Sequence, residues 1–184
     1  MADKLTILGI AGSLGKGSYN RAALRAAQKL APENVAIETF EIDGLPGFNQ
    51  DDEKNPPVKV SELKSRIRAA DAILLATPEY NYSIPGVLKN AIDWASRPYG
   101  DSAWAGKPVA IMGASVGVFG TARAQYHLRQ TFVFLNMDAV NQPEVMINAS
   151  KSFDDQGNLT DQSTRDLIGK LLANLARKAA ARKG

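Results

Sequence analysis

The sequence contains no cysteine and a single histidine. The first absence excludes disulfides, thiolate nucleophiles and cysteine-ligated metals; the second argues against a histidine-built metal centre. No apolar run approaches the roughly 20 residues that a helix needs to cross a bilayer. Met1-Ala2-Asp3-Lys4 leads straight into a short apolar stretch, without the layout of a secretory leader, so a cytoplasmic location with no membrane partner is expected. Strong net charge is missing too. The balance is +3, and Arg177, Lys178, Arg182 and Lys183 account for it: subtracting those four leaves −1. A nucleic-acid binder carries its basic surplus on a folded face with interleaved aromatics. Here the surplus marks a solvated helix end, where cations complement the macrodipole, and no nucleic-acid partner is expected.

What is present is ordinary globular material. The chain has 184 residues, 45% hydrophobic and 22% charged. That length supports one core without staples, and a single domain over residues 1–184 is expected. Strand and helix patterns alternate. Apolar runs at 4–10, 35–42, 72–77 and 108–115 read as strands, and 138–147 reads as a last strand interrupted by Pro143. Between them lie helical patterns at 19–31, 59–70, 85–96 and 121–135, with a closing helix through Leu167, Ile168, Leu171, Leu172 and Leu175. Val60, Leu63, Ile67 and Ala70 recur at helical spacing, whereas Ala72–Thr77 is continuously apolar, as in a parallel sheet covered on both faces. Five such alternations predict an α/β flavodoxin-like three-layer sandwich: a five-stranded parallel sheet in the order 2-1-3-4-5, with helices on both faces. Ligands bind such sheets at the carboxyl ends of the strands, which places the loops 11–18, 43–57, 78–84 and 115–120 at the site. The second of these is long for a compact domain, a hint of function.

The first loop, Gly12-Ser-Leu-Gly-Lys-Gly-Ser-Tyr-Asn20, joins a strand to a helix yet matches neither common nucleotide fingerprint. For a Walker A loop, Ile10 stands where the first glycine is required and Gly17 replaces the hydroxyl. For a dinucleotide fingerprint, Asn20 stands where the last glycine is required. What remains is an anion cradle at a helix N-terminus: Ser13, Ser18 and Asn20 offer side-chain donors, while Gly12, Gly15 and Gly17 allow close backbone approach. A single terminal phosphate suits it; equally, Ser18 can act simply as the helix N-cap. The second segment, Thr77-Pro-Glu-Tyr-Asn-Tyr-Ser-Ile-Pro-Gly86, is stiffened by a proline near each end. It offers amide donors at fixed positions to the edge of a planar heterocycle.

Three stretches, "GSLGKGSYN", "TPEYNYSIPGVLKNAIDW" and "ARAQYHLRQ", together resemble the NADPH-dependent FMN reductase family, in its bacterial quinone and chromate reductase branch. The resemblance runs from the first strand through Pro143-Glu144 and implies FMN as cofactor, NADPH or NADH as donor, and a small-molecule acceptor in a ping-pong cycle of two-electron transfers. It implies that Ser13, Gly15, Lys16, Gly17, Ser18, Tyr19 and Asn20 hold the phosphate. Pro78, Glu79, Tyr80 and Asn81 would hold the ring, mostly through main-chain groups, with Ser115 and Gly117 beside it. Arg123, Tyr126 and Glu144 match positions that pair across subunits in a dimer of dimers. The chain departs from the family at Gly15, where arginine is usual, and that departure implies weaker FMN retention or altered handling of NADPH or an anionic acceptor. No side chain is assigned as a catalytic acid or base, and the one histidine, His127, reads as structural or interfacial. Two other readings share the architecture: a flavodoxin-like electron carrier, which the basic isoelectric point of about 9.1 disfavours, and a non-catalytic FMN-binding or interaction module.

Overall fold

A computed structural model describes residues 4–183; Met1–Asp3, read above as part of a leader-free start, lie outside the described residues. β1 (Leu5–Ala11), β2 (Val35–Phe40), β3 (Ala72–Ala76) and β4 (Pro108–Ser115) form a parallel sheet that continues through β5 (Asp138–Ala139) in the order β2-β1-β3-β4-β5. This is the flavodoxin-like order. The expected last strand is in fact two. β5 pairs with the start of β4, and β6 (Val145–Asn148) pairs with its end, from Met112↔Val145 to Ser115↔Asn148. Pro143 lies in the gap, where it has no N–H to give a ladder.

The helices are α1 (Tyr19–Leu30), α2 (Val58–Ala69), α3 (Gly86–Ala95), α4 (Ala122–Leu135), a single turn α5 (Ala149–Ser152) and α6 (Gln162–Ala181). Strand side chains alternate between two cores, as the pleat requires. Leu5, Ile7, Leu74 and Met112 pack towards α1 and α6, with Leu24, Ile168 and Leu172. Leu8, Ile10, Leu75 and Ile111 face the other side, with Leu63, Ile67, Leu88, Ile92, Leu128 and Phe132 of α2, α3 and α4. No helix among the described residues is long and apolar enough to cross a membrane.

The long loop after β2 has a structural task. The Pro46 carbonyl accepts hydrogen bonds from Trp94 Nε1 at 2.8 Å and Asn90 Nδ2 at 2.9 Å, and the Phe48 N–H donates to Asn90 Oδ1 at 2.7 Å. Phe48 meets Trp94 edge-on, with centroids 5.1 Å apart. The segment is a strap over α3, held by one buried indole that needed an acceptor.

Candidate functional site

The other three carboxyl-edge loops converge. A cavity of about 220 Å³ is lined by Ser13, Gly17, Ser18, Tyr19 and Asn20 from the first, Pro78, Glu79 and Tyr80 from the second, and Ala114, Ser115 and Val116 from the third. A larger and more apolar cavity, of about 390 Å³, lies between the C-terminal ends of α3 and α4 and contains none of the expected site residues. Helix C-termini face the opposite edge of a parallel sheet, so that cavity is away from the loops that present free backbone groups.

The first loop has the makings of an anion cup. Ser18 does cap α1: its Oγ accepts the N–H groups of Asn20 at 3.2 Å and Arg21 at 3.4 Å. The Ser18 N–H closes a turn on the Gly15 carbonyl at 3.2 Å. The N–H groups of residues 13–17 and of Tyr19 have no acceptor among the described residues, although Ser13 is buried. A run of unpaired amides at a helix N-terminus, with the dipole behind it, fits a phosphate. Only one glycine of this loop is crowded. A Cβ on Gly12 would come 2.9 Å from Leu88, whereas one on Gly15 would touch only Ser13 Oγ at 3.8 Å, and one on Gly17 nothing within 4 Å. Lys16 lies outside the 220 Å³ cavity and lines its neighbour.

Asn20 lines the cleft and also has a structural role. Its Nδ2 donates to the Ala114 carbonyl and its Oδ1 accepts from the Ala114 N–H, both at 2.9 Å. The reason lies in the sheet register. Ala76 pairs with Met112, so two residues on Ala114 faces Pro78, which has no N–H, where β3 has already ended. The Asn20 amide stands in for the missing strand. Its side chain therefore ties the cup to β4, and of its two Nδ2 hydrogens these bonds use one.

The second loop forms a two-residue hairpin. Tyr80 and Ser83 exchange both backbone hydrogen bonds, at 3.2 and 3.0 Å, and the residues between them, Asn81 and Tyr82, have φ of 50° and 66°. Two left-handed residues in succession make a type I′ turn, a conformation a tyrosine adopts only under constraint. The constraint is visible: the Arg123 guanidinium lies 3.5 Å from the centroid of the Tyr82 ring. The Tyr80 N–H is used within the turn, which leaves the Glu79 and Asn81 amides without acceptors among the described residues. Outside the turn, Ser83 Oγ lies 2.9 Å from His127 Nδ1, so the histidine packs as a structural partner of this loop.

Glu79 has a role the sequence did not reveal. Its carboxylate accepts the N–H groups of Arg123 at 2.9 Å and Ala124 at 3.1 Å, capping α4 from a distant loop. It also takes Arg123 Nε at 2.5 Å, and this pairing holds the guanidinium pKa above its ordinary value. Arg123, expected to pair across subunits, thus has its partners Glu79 and Tyr82 within the chain. Tyr126 has the Glu144 carboxylate of the same chain beside it, which raises the phenol pKa. In the third loop Ser115 Oγ accepts the Gly117 N–H at 3.1 Å, so both expected residues build a turn, while Ala114 and Val116 add cavity wall.

A flavodoxin-like sheet with an anion cup and an amide-bearing loop at its switch point defines an FMN-binding class of α/β protein. The chain belongs to the NADPH-dependent FMN reductase family, whose model matches residues 5–152. It is 55% identical over 177 residues to an NAD(P)H-dependent FMN reductase of Pseudomonas aeruginosa, covering 95% of each chain. It is 46% identical over 169 residues to a 2-hydroxy-1,4-benzoquinone reductase of Burkholderia sp, covering 91% of each. The structure of the flavoenzyme NAD(P)H:(acceptor) oxidoreductase FerB from Paracoccus denitrificans superposes with a TM-score of 0.88 at 36% identity, covering 96% of this chain and 98% of that one.

Proposed function

We propose that this chain uses FMN to pass two electrons from NADPH or NADH to a quinone, with chromate and other small oxidants as less selective acceptors. The observation that carries the reading is the convergence of three loops on one cleft, with unpaired amides at the cup end and at the hairpin end. The quinone reductases among its relatives, including one from Escherichia coli at 44% identity over 179 residues, point to the acceptor class. Bound FMN supplies the hydride chemistry between donor and acceptor.

The protein's own work is positional. The backbone of Ser13–Gly17, with Ser18 and Tyr19, would hold the phosphate, and Lys16 adds a point charge nearby. Pro78, Tyr80 and the amides of Glu79 and Asn81 would border the ring. Those fixed donors would stabilise negative charge without reorganising, as an oxyanion hole does. Ser115 and Gly117 shape the third wall. No side-chain acid or base is needed for hydride transfer. The whole chain works as one unit in the cytoplasm, where the nicotinamide donor is made, and it assembles into a dimer or dimer of dimers. Tyr126, Val133 and Phe134 support that assembly as an exposed stripe on α4 beside Arg123, with Glu144 next to Tyr126.

An absorbance spectrum of the FMN-supplemented protein tests the reading. NADPH or NADH should bleach the flavin band promptly, and a quinone should restore it. A flavin-loaded protein that neither nucleotide bleaches is an electron carrier instead, and one that never takes up FMN is a non-catalytic module.

Gly15→Arg probes the cup. The position has space and lacks the positive φ that would strain a side chain, so the melting temperature should barely change. The added guanidinium should tighten FMN binding by about tenfold, in line with the strength of a charge-assisted hydrogen bond. Fluorescence titration of the apoprotein measures this, and an unchanged affinity would place the phosphate elsewhere.

A further inference from the structure

The cup opens on a second chamber, most of whose lining the flavin reading does not use. A cavity of about 460 Å³ shares Gly17, Ser18 and Tyr19 with the flavin cleft and continues beneath the turn after α5. Its volume falls within the roughly 300–1,000 Å³ range of small-molecule sites. Lys16 and Arg25 both line it, and the ion pairs of the described residues leave both without a carboxylate. Arg21, one turn earlier on α1, shows the contrast: it pairs with Glu41 at 2.5 Å and donates to the Ser13 carbonyl at 3.2 Å.

The nearest acidic groups do not neutralise the chamber. Asp154 is engaged in its own turn, where Oδ1 accepts the N–H groups of Gln156 at 3.0 Å and Asn158 at 2.7 Å and Oδ2 accepts from Asn158 Nδ2 at 3.0 Å. Asp155 is exposed at the rim and suits a sugar hydroxyl. One wall is aromatic: Tyr19 and Phe153 pair with centroids 5.2 Å apart and planes inclined by 40°. Two unpaired cations, one free carboxylate and an aromatic wall form a set suited to a phosphorylated nucleoside.

We propose that this chamber receives the adenosine end of the nicotinamide donor, with Arg25 reading the 2′-phosphate that separates NADPH from NADH. The inference rests on the donor chemistry proposed above. It makes the chain selective for NADPH, through a residue on the opposite side of the cup from the hairpin. Arg25 is the diagnostic position, because its side chain is exposed on α1 and lines the 460 Å³ chamber but not the flavin cleft.

Arg25→Ala and Arg25→Glu in the FMN-loaded protein supply the test, with two readouts. The first is the ratio of kcat/KM for NADPH over NADH, which should fall about tenfold in Arg25→Ala and further in Arg25→Glu, as expected for a lost charge-assisted phosphate contact. The second is calorimetric binding of adenosine 2′,5′-bisphosphate, with 5′-AMP as the comparison. The parent should prefer the bisphosphate, and both variants should lose that preference. An unchanged ratio with unchanged bisphosphate binding overturns the proposal while leaving the enzyme reading intact. So does a variant that loses FMN affinity at an unchanged ratio, since Arg25 would then serve the flavin phosphate. If neither nucleotide reduces the flavin, the enzyme reading fails, and calorimetry alone decides whether the chamber binds the bisphosphate.

Discussion

Replacing Asn20 with leucine should lower the melting temperature by about 5–15 °C and weaken FMN binding at least tenfold. The side chain is 3% exposed, and both of its polar atoms satisfy the backbone of Ala114. Leucine fills a similar volume but leaves one buried N–H and one buried carbonyl unpaired. Each unpaired group costs about 1–3 kcal/mol, and in a chain of this size each kcal/mol corresponds to about 2–4 °C. The loss falls where α1 meets the end of β4, so the cup and the third loop separate and the cofactor site loosens along with the fold. Gln28→Ala is the comparison. Gln28 also reaches a strand backbone, from Nε2 to the Ile37 carbonyl at 3.1 Å, but its side chain is exposed and makes one bond. Water replaces it, so its loss should cost under about 1 kcal/mol. Thermal melts and FMN titration of the two variants check both halves. Equal small shifts would show that Ala114 finds other partners.

The sheet was legible because its physics is local. The continuous apolar run Ala72–Thr77 needs cover on both faces, and the Val60, Leu63, Ile67 and Ala70 spacing presents one face of α2, so alternation gave the parallel sheet, and right-handed crossovers with five strands favoured its order. The split of the last strand was half legible: Pro143 marked the interruption, but two pairings along one edge of β4 need the register. The strap made by the loop after β2 was not legible, because its anchor, the Trp94 indole, lies 48 residues from Pro46. The same limit governs the site. Composition located the cup and the proline-bounded hairpin, because both are contiguous. The cross-links that hold them were invisible: Asn20 to Ala114 spans 94 residues and Glu79 to Arg123 spans 44. A glutamate in a loop gives no sign that it caps a helix elsewhere. Nor did the glycines of the first loop rank themselves, since only the structure shows that Leu88 crowds Gly12 and that Gly17 has open space.

The most severe single change should be Gly113→Ala. A Cβ built on this strand residue falls 2.0 Å from Thr121 Oγ1 and 2.4 Å from the Thr77 carbonyl oxygen. No real side-chain carbon tolerates either distance, and the second neighbour is backbone. Thr77 is where β3 hands over to the hairpin, its N–H bonded to the Met112 carbonyl at 2.9 Å, and Thr121 precedes α4 with no exposure. The methyl group must therefore push the hairpin and the start of α4 apart, across the contact that Glu79 bridges. Overpacking of this kind costs about 1–3 kcal/mol where side chains yield, and more where backbone must move. We expect a loss above about 3 kcal/mol, little soluble protein, and no FMN retained by what does fold. Thr121→Ala in the same chain separates the causes. It removes the hydroxyl but not the carbonyl clash, so the double variant should recover some stability and still fail to hold FMN. Gly17→Ala, which meets nothing, should melt within about 2 °C of the parent, as surface changes generally do. A Gly113→Ala protein that melts like the parent and keeps its flavin would mean that β4 slides away from Thr77 at no cost, and the cleft would then not depend on the close passage of these two chains.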